Sequence, residues 1–264
     1  MDDILEEIEF LALSGNRIDV LNRVGEEPRT RRELEDLTGA SQPTLGRILR
    51  DFGERNWVEQ TPDGYAATAT GRLVADGITD LYDILETEAK LRDIVSWLPT
   101  DVMTFDLRCL HDATIVVPSQ TRPGAPVRRV TDLVGHADHV RVVSHAFNER
   151  TLEVVRERTV DEGGRFEGVF SASAIEPVAE DATLRRQLRE LTSAPNAEIR
   201  IADGEVPLAV TVADGVVNLL VRNDDGMVQA SVESDHEDVC AWAHDLHDRY
   251  WQGARVVEPD DLEA

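Results

Sequence analysis

The sequence predicts an α+β or α/β chain: a helical N-terminal domain closed by a small β-hairpin, a long linker helix, and a C-terminal α/β domain with a mixed sheet. Three observations carry this. Apolar residues keep helical spacing through the first fifty positions, then give way to short period-two segments around an Asp-Gly turn. A single helical stripe continues from Leu73 to Leu98. Beyond Pro99, β-branched runs alternate with helical stretches. A length of 264 residues fits two domains. The boundaries expected are 1–76, a linker helix over 77–99, a second domain over 100–257, and an acidic tail over 258–264.

In the first domain, Ile4, Leu5, Ile8, Leu11 and Ala12 mark an N-terminal helix that breaks at Ser14-Gly15. Ile18, Leu21 and Val24 mark the next. Thr30-Arg31-Arg32-Glu33 has the spacing of a capping box, in which the Thr30 hydroxyl accepts from the third helical N–H and Glu33 reaches back. Leu34 and Leu37 then point inward, and Gly39 supplies a left-handed stop. Ser41, with Pro43 just inside, restarts the chain as a helix whose Leu45, Ile48, Leu49 and Phe52 form a buried stripe. Gln42, Thr44, Arg47 and Arg50 fall on the other side. Residues 57–61 and 65–68 read as strands around Pro62-Asp63-Gly64. Thr68 or Thr70 then caps the long helix.

This order is that of a winged helix-turn-helix. A polar, Arg-bearing helix after a tight Gly turn is what a duplex major groove admits, because Arg pairs bidentately with guanine and Gln with adenine. Candidate DNA contacts are therefore Arg31, Arg32, Ser41, Gln42, Thr44, Arg47 and Arg50, with Thr61, Asp63 and Tyr65 on the wing. The stretch RTRRELEDLTGASQPTLGRILRDFGERNWVEQTPDGYAATATGR resembles archaeal winged regulators of the ArsR/MarR-like kind. The region from about 103 to 257, ending in AWAHDLHDRYWQGARVV, resembles the effector domain of the methanogenesis-regulator (FilR) type. These resemblances imply a regulator that binds double-stranded DNA and senses an effector ligand or a protein partner. Some related sensor domains adopt a phospholipase-D-like sheet. The His-x-Lys pair of such enzymes is missing, since Lys90 is the only lysine and lies in the linker.

Charge frames these expectations. Asp and Glu number 52 against 27 Lys and Arg, a net charge of −25, and 26 of the 27 basic residues are arginines. Such a surface self-repels unless salt screens it, and the composition resembles that of haloarchaeal proteins. Residues 1–76 carry 16 acidic side chains and 9 arginines, yet between Arg29 and Arg55 six arginines meet five carboxylates. The acidic start MDDILEEIEF and the lack of a long apolar run point to a cytoplasmic protein without membrane association. Two cysteines, Cys109 and Cys240, give no disulfide framework.

In the linker, positions 74, 78, 81, 85, 89, 92 and 95 form one stripe, apolar except for Arg92, and Tyr82, Ile84, Leu91 and Ile94 form a second. That is too much apolar surface for a lone exposed helix, and a homodimer is the preferred way of covering it. In the second domain, strands are expected near 113–117, 140–143, 166–170, 198–201, 208–212, 216–221 and 227–232, the last three as an antiparallel meander. Helices are expected near 127–134, 148–162, 182–192 and 236–252. Ser144, His145 and Asn148 follow a strand and could line a ligand pocket at the carboxyl edge of the sheet, although Asn148 also suits a helix cap. Cys240, His244 and His247 share a helix face at metal-ligand spacing, but no fourth ligand is evident, and no metal or other cofactor is expected. No phosphate loop, metal-hydrolase motif or nucleophile elbow is present, so catalysis is not expected. The alternative to a regulator is an acidic adaptor that uses the winged domain to dock protein; a degenerate nuclease-like enzyme is the third reading.

Overall fold

The computed structural model describes residues 2–262. The last two positions of the expected acidic tail lie outside the described residues. The chain divides into two compact units, Met1–Glu86 and Thr87–Ala264, and the fold is α+β. Among the described residues no helix is long and apolar enough to cross a membrane.

The first unit is built from α1 (Asp2–Ala12), α2 (Gly15–Glu26), α3 (Arg31–Thr38) and α4 (Gln42–Glu54). The hairpin β1 (Val58–Thr61) and β2 (Gly64–Ala67) follows, then the start of α5 (Ala69–Leu91). Its core joins Leu11, Val20, Leu21, Val24, Leu34, Leu45, Ile48, Leu49, Phe52 and Trp57. The expected stripe of α4 is the buried one, while in α2 Leu21 and Val24 are buried as expected but Val20 takes the place of the half-buried Ile18. Leu37 also departs from expectation, at 46% exposure. In an eight-residue helix one turn reaches the core, and Leu34 occupies that place.

The hairpin gains a third partner that the alternation did not show. Arg29 N donates to Tyr65 O at 2.9 Å and Tyr65 N to Arg29 O at 2.8 Å, so the chain entering α3 is bridged to β2. Gly64, at φ +129°, allows this approach, since a Cβ there would lie 2.4 Å from the Arg29 carbonyl oxygen. Thr68 caps α5, its hydroxyl accepting from Gly71 N at 3.0 Å.

The sequence stripe predicted a helix to Leu98, but α5 ends at Leu91. Beyond it Ile94 N donates to Leu91 O and Trp97 N to Ile94 O, both tight three-residue turns. Tightening brings Leu91, Ile94 and Leu98 together into the core of the second unit. Tertiary packing here overrides the helical period.

The second unit is a mixed eight-stranded sheet with helices on both faces. Its strands are β3 (Thr114–Val116), β4 (His139–Ser144), β5 (Arg165–Ser171), β6 (Ala197–Ala202), β7 (Val210–Ala213), β8 (Val216–Arg222), β9 (Val228–Ser234) and β10 (Arg255–Val256). The spatial order is β10-β6-β5-β4-β7-β8-β9-β3. Strands β4, β5 and β6 are parallel, and β7, β8, β9 and β3 form an antiparallel run. The meander expected from the Asp-Gly turns is present. Asp214 and Gly215 take φ of 47° and 84°, the left-handed pair that a tight hairpin requires.

The helices are α6 (Ala125–His136), α7 (Glu149–Arg156), α8 (Ala172–Glu180), α9 (Ala182–Thr192) and α10 (Glu237–Gly253). One face packs Val130 and Val134 of α6, Leu152 and Val155 of α7, and Leu188 and Leu191 of α9 against Phe166, Phe170, Ile199 and Ile201. On the other, Val239, Trp242, Ala243 and Leu246 of α10 meet Val210, Val212, Val217, Leu219 and Val221. The expected helix over 148–162 is α7 followed by a wider turn over Glu157–Asp161. The apolar pattern does not show α8, which carries Pro177, or the two-residue edge strand β10. The segment expected as an acidic tail packs onto this unit as far as Leu262, which is buried and whose carbonyl accepts from Arg189. Arg255 pairs with Asp261 there at 2.6 Å.

Candidate nucleic-acid interface and ligand cleft

The arginines of the winged unit separate into two sets. Arg29 pairs with Glu27 at 2.5 Å, and Arg55 pairs with Glu7 at 2.6 Å while lying over the Phe10 ring. Both are committed to the unit itself. Arg31, Arg32, Arg47 and Arg50 are exposed. Arg32 and Arg47 form no ion pair among the described residues, and Arg50 meets only Asp51, at 3.8 Å. The Arg31 guanidinium lies between Tyr65 of the wing, 5.5 Å from the ring centre, and Gly46 of α4. A cationic stripe therefore links the start of α3, the outer face of α4 and β2.

The helix starts are held differently from one another. The capping box of α3 is complete: Glu33 N donates to the Thr30 hydroxyl at 3.3 Å, and Thr30 N donates to Glu33 at 2.7 Å. The Thr30 N–H, and after it the Thr30 hydroxyl at 2.8 Å, donate to the Glu33 carboxyl and hold it below the usual carboxylate range. Gly39 takes the left-handed conformation, at φ 68°, and donates its N–H to Glu35 O. At α4, Ser41 has extended backbone but its hydroxyl makes no cap bond, sitting instead 3.0 Å from the Thr44 hydroxyl. Gln42 is exposed, yet its amide nitrogen donates to Glu35 at 2.6 Å and to Arg31 O at 3.3 Å, tying α4 to α3. On the wing, Thr61 donates its hydroxyl to Gly64 O at 3.0 Å, and Asp63 projects from the tip.

In the second unit the expected trio at the end of β4 is divided. Ser144 and Asn148 line a cleft between α6, α7 and the sheet, with about 590 Å³ of empty space including its mouth. His145 instead faces other hollows, near Pro207 and Leu208. Asn148 caps α7, accepting from Thr151 N at 3.2 Å, and Ser144 closes a turn with Ala146. The cleft walls are Val130, Leu152, Val155, Phe166 and Phe170, with Phe147 stacked on Phe170 at 3.9 Å between ring centres. Arg222, the last residue of β8, also lines it. No sequence signal drew attention to Arg222. The alternation of β8 places residues 218, 220 and 222 on one face, but not the gap between α6 and α7 above them.

Cys240, His244 and His247 do not assemble as a metal site. Among the described residues their donor atoms do not converge within 4.8 Å. Helical spacing gave one face, but α10 packs along that face. His247 is buried against Trp251, the Cys240 thiol donates to Gly215 O at 3.0 Å, and His244 lies 3.4 Å from Arg141. Burial pushes the His247 ring below its ordinary value and the Cys240 thiol above its own. The structure instead gathers Cys109, His236 and Asp238, a grouping with no signal in the sequence because Cys109 lies far from α10 in the chain.

These features define a two-unit winged-helix protein of regulator type. Residues 5–90 match the family model described as the HVO_A0261 N-terminal domain, and residues 123–253 match that of the methanogenesis regulatory protein FilR1, middle domain. Together these two matches span most of the chain. No curated protein matches it. Among solved structures, the archaeal chromatin protein TrmBL2 aligns at 14% identity over 87% of this chain and 88% of its own, with a TM-score of 0.43. Nuc from Salmonella typhimurium, a phospholipase D family member, aligns at 11% identity over 55% of this chain and 99% of its own, with a TM-score of 0.44. NucT from Helicobacter pylori aligns at 11% over 55% and 98%, with a TM-score of 0.43. At these scores the likeness carries no function across.

Proposed function

We propose that the chain is a sequence-specific, double-stranded-DNA-binding transcriptional regulator that works as a homodimer and senses a small effector or partner through its second unit. In this reading α4 enters the major groove and Arg47 and Arg50 reach base edges. Arg31, Arg32 and the wing residues Thr61, Asp63 and Tyr65 lie along the backbone. Ser41 and Thr44 present the helix start, and Gln42 fixes the angle between α3 and α4. The observation that carries the reading is the outward face of α4. It holds Arg47 without an ion pair in a chain of net charge −25, where local carboxylates could readily have neutralised it.

Counterion release weakens phosphate contacts steeply as salt rises. With so few cations on this face, affinity should rest on hydrogen bonds to bases more than on phosphate pairing. Selecting duplexes from a random pool and titrating the best by fluorescence anisotropy tests the proposal. Wild-type protein is expected to prefer a two-fold symmetric site, with a shallow slope of log affinity on log potassium concentration. Arg47→Ala should weaken that site by about 1–3 kcal/mol, roughly five- to a hundred-and-fiftyfold, without lowering the unfolding midpoint. If no duplex is bound above the random background while a protein partner is retained, the adaptor reading replaces this one.

A further inference from the structure

We infer that the cleft between α6, α7 and the sheet binds a small aromatic carboxylic acid, its ring among the apolar walls and its carboxylate on Arg222. This rests on the reading of the second unit as a sensor and names the class of molecule it senses. The cleft is open at its mouth, and its lining is mostly hydrophobic with a few polar groups, the composition usual for small-molecule sites.

Arg222 is the cation in that lining. Its Nη1 donates to Gly226 O at 2.8 Å, in the turn between β8 and β9. Its Nε is buried without a hydrogen-bond partner, and Arg222 makes no ion pair among the described residues. A buried Nε–H so placed is costly unless an acceptor such as a carboxylate oxygen completes it, because a buried donor left unmade loses its hydration with nothing in return. Burial accordingly draws the Arg222 side chain below its ordinary value, with no carboxylate to oppose the shift.

The chemistry of the missing partner follows from three features. One planar fork matches one carboxylate, whose two oxygens lie in a single plane; a phosphate dianion would call for more positive charge than one arginine supplies. The stacked rings of Phe147 and Phe170, 20° from parallel, give a flat wall on which a further ring can pack. Ser144, Asn148 and Thr211 add a sparse polar lining, enough to orient a ligand without favouring a sugar-like one.

The test uses the full chain with benzoate, phenylacetate and their neutral counterparts benzamide and phenylacetamide, at constant ionic strength. Isothermal titration and the fluorine NMR of 4-fluorobenzoate read binding directly. At least one acid is expected to bind one per chain and raise the unfolding midpoint, with its amide weaker by roughly tenfold or more, the scale of a charged fork lost. Arg222→Met should abolish binding of the acid. Because Arg222 also holds the β8–β9 turn, Ala146→Phe serves as a second variant that fills the mouth and leaves Arg222 in place; it too should lose binding. Equal affinity for acid and amide, undiminished binding by both variants, or no saturable binding of either acid overturns the inference. Since binding is read without DNA, failure of the DNA-binding proposal shows separately, in the duplex titration.

Discussion

His247 illustrates how a single buried side chain sets a pH dependence. It lies stacked on Trp251 with Nδ1 3.6 Å from Asp248, and burial, outweighing that carboxylate, lowers its folded-state value from the ordinary 6.5. Above about pH 6.5 the ring is neutral whether the chain is folded or unfolded, so it adds no pH dependence there. Below that, the unfolded ring takes up a proton that the folded one refuses. Stability is therefore lost as pH falls from 6.5 towards the depressed folded value. His247→Phe, which keeps the stack and removes the proton site, should flatten the fall in unfolding midpoint between pH 6.5 and 5 relative to wild type. Parallel curves for the two proteins in thermal scans would refute this. His145, also lowered by burial, leaves a residual slope in the variant.

Helix α5 carries the clearest unpartnered surface among the elements. Its Leu91, with Ile94 and Leu98 beyond it, is absorbed by the core of the second unit, so only part of the expected apolar surplus needs another partner. What remains exposed is Leu73, Leu81, Tyr82, Ile84 and Leu85, the last at 57%. Fully burying a leucine contributes roughly 1.5–3 kcal/mol, so a pair of such faces across a two-fold axis is enough to hold two copies together. Sedimentation of wild-type protein at tens of micromolar should show a dimer, and Leu85→Glu should shift it to monomer while the helical signal is kept. A wild-type monomer would remove α5 as the interface.

For the whole molecule the decisive quantity is the net charge of −25. Many arginines are already engaged in exposed pairs such as Arg92 with Glu88 and Arg150 with Glu153, each worth little. The carboxylates in excess repel one another over a Debye length of about 10 Å at 0.1 M salt and about 3 Å at 1 M. Screening should thus help the folded state more than it harms the pairs. The unfolding midpoint is expected to rise by several degrees between 0.1 and 2 M potassium chloride, a measurement that a falling midpoint would contradict.

The sequence by itself determined the local architecture of the winged unit. The Thr30–Glu33 box, the Gly39 stop, the Leu45-Ile48-Leu49-Phe52 stripe and the Pro62-Asp63-Gly64 turn act through bonds and dihedrals only a few residues apart, and such terms are written directly in the chain. It also placed Ser144 and Asn148 at one sheet edge, because a strand followed by a helix fixes where its carboxyl end must lie. Tertiary structure alone decided the rest. Where α5 stops depends on which core claims Leu91 and Ile94, and the face shared by Cys240 and His247 became a packing surface once α10 met the sheet. Arg222 became an unpaired cation over an apolar cleft through the spacing of α6 and α7. These outcomes depend on distances between segments remote in sequence, which no local periodicity encodes.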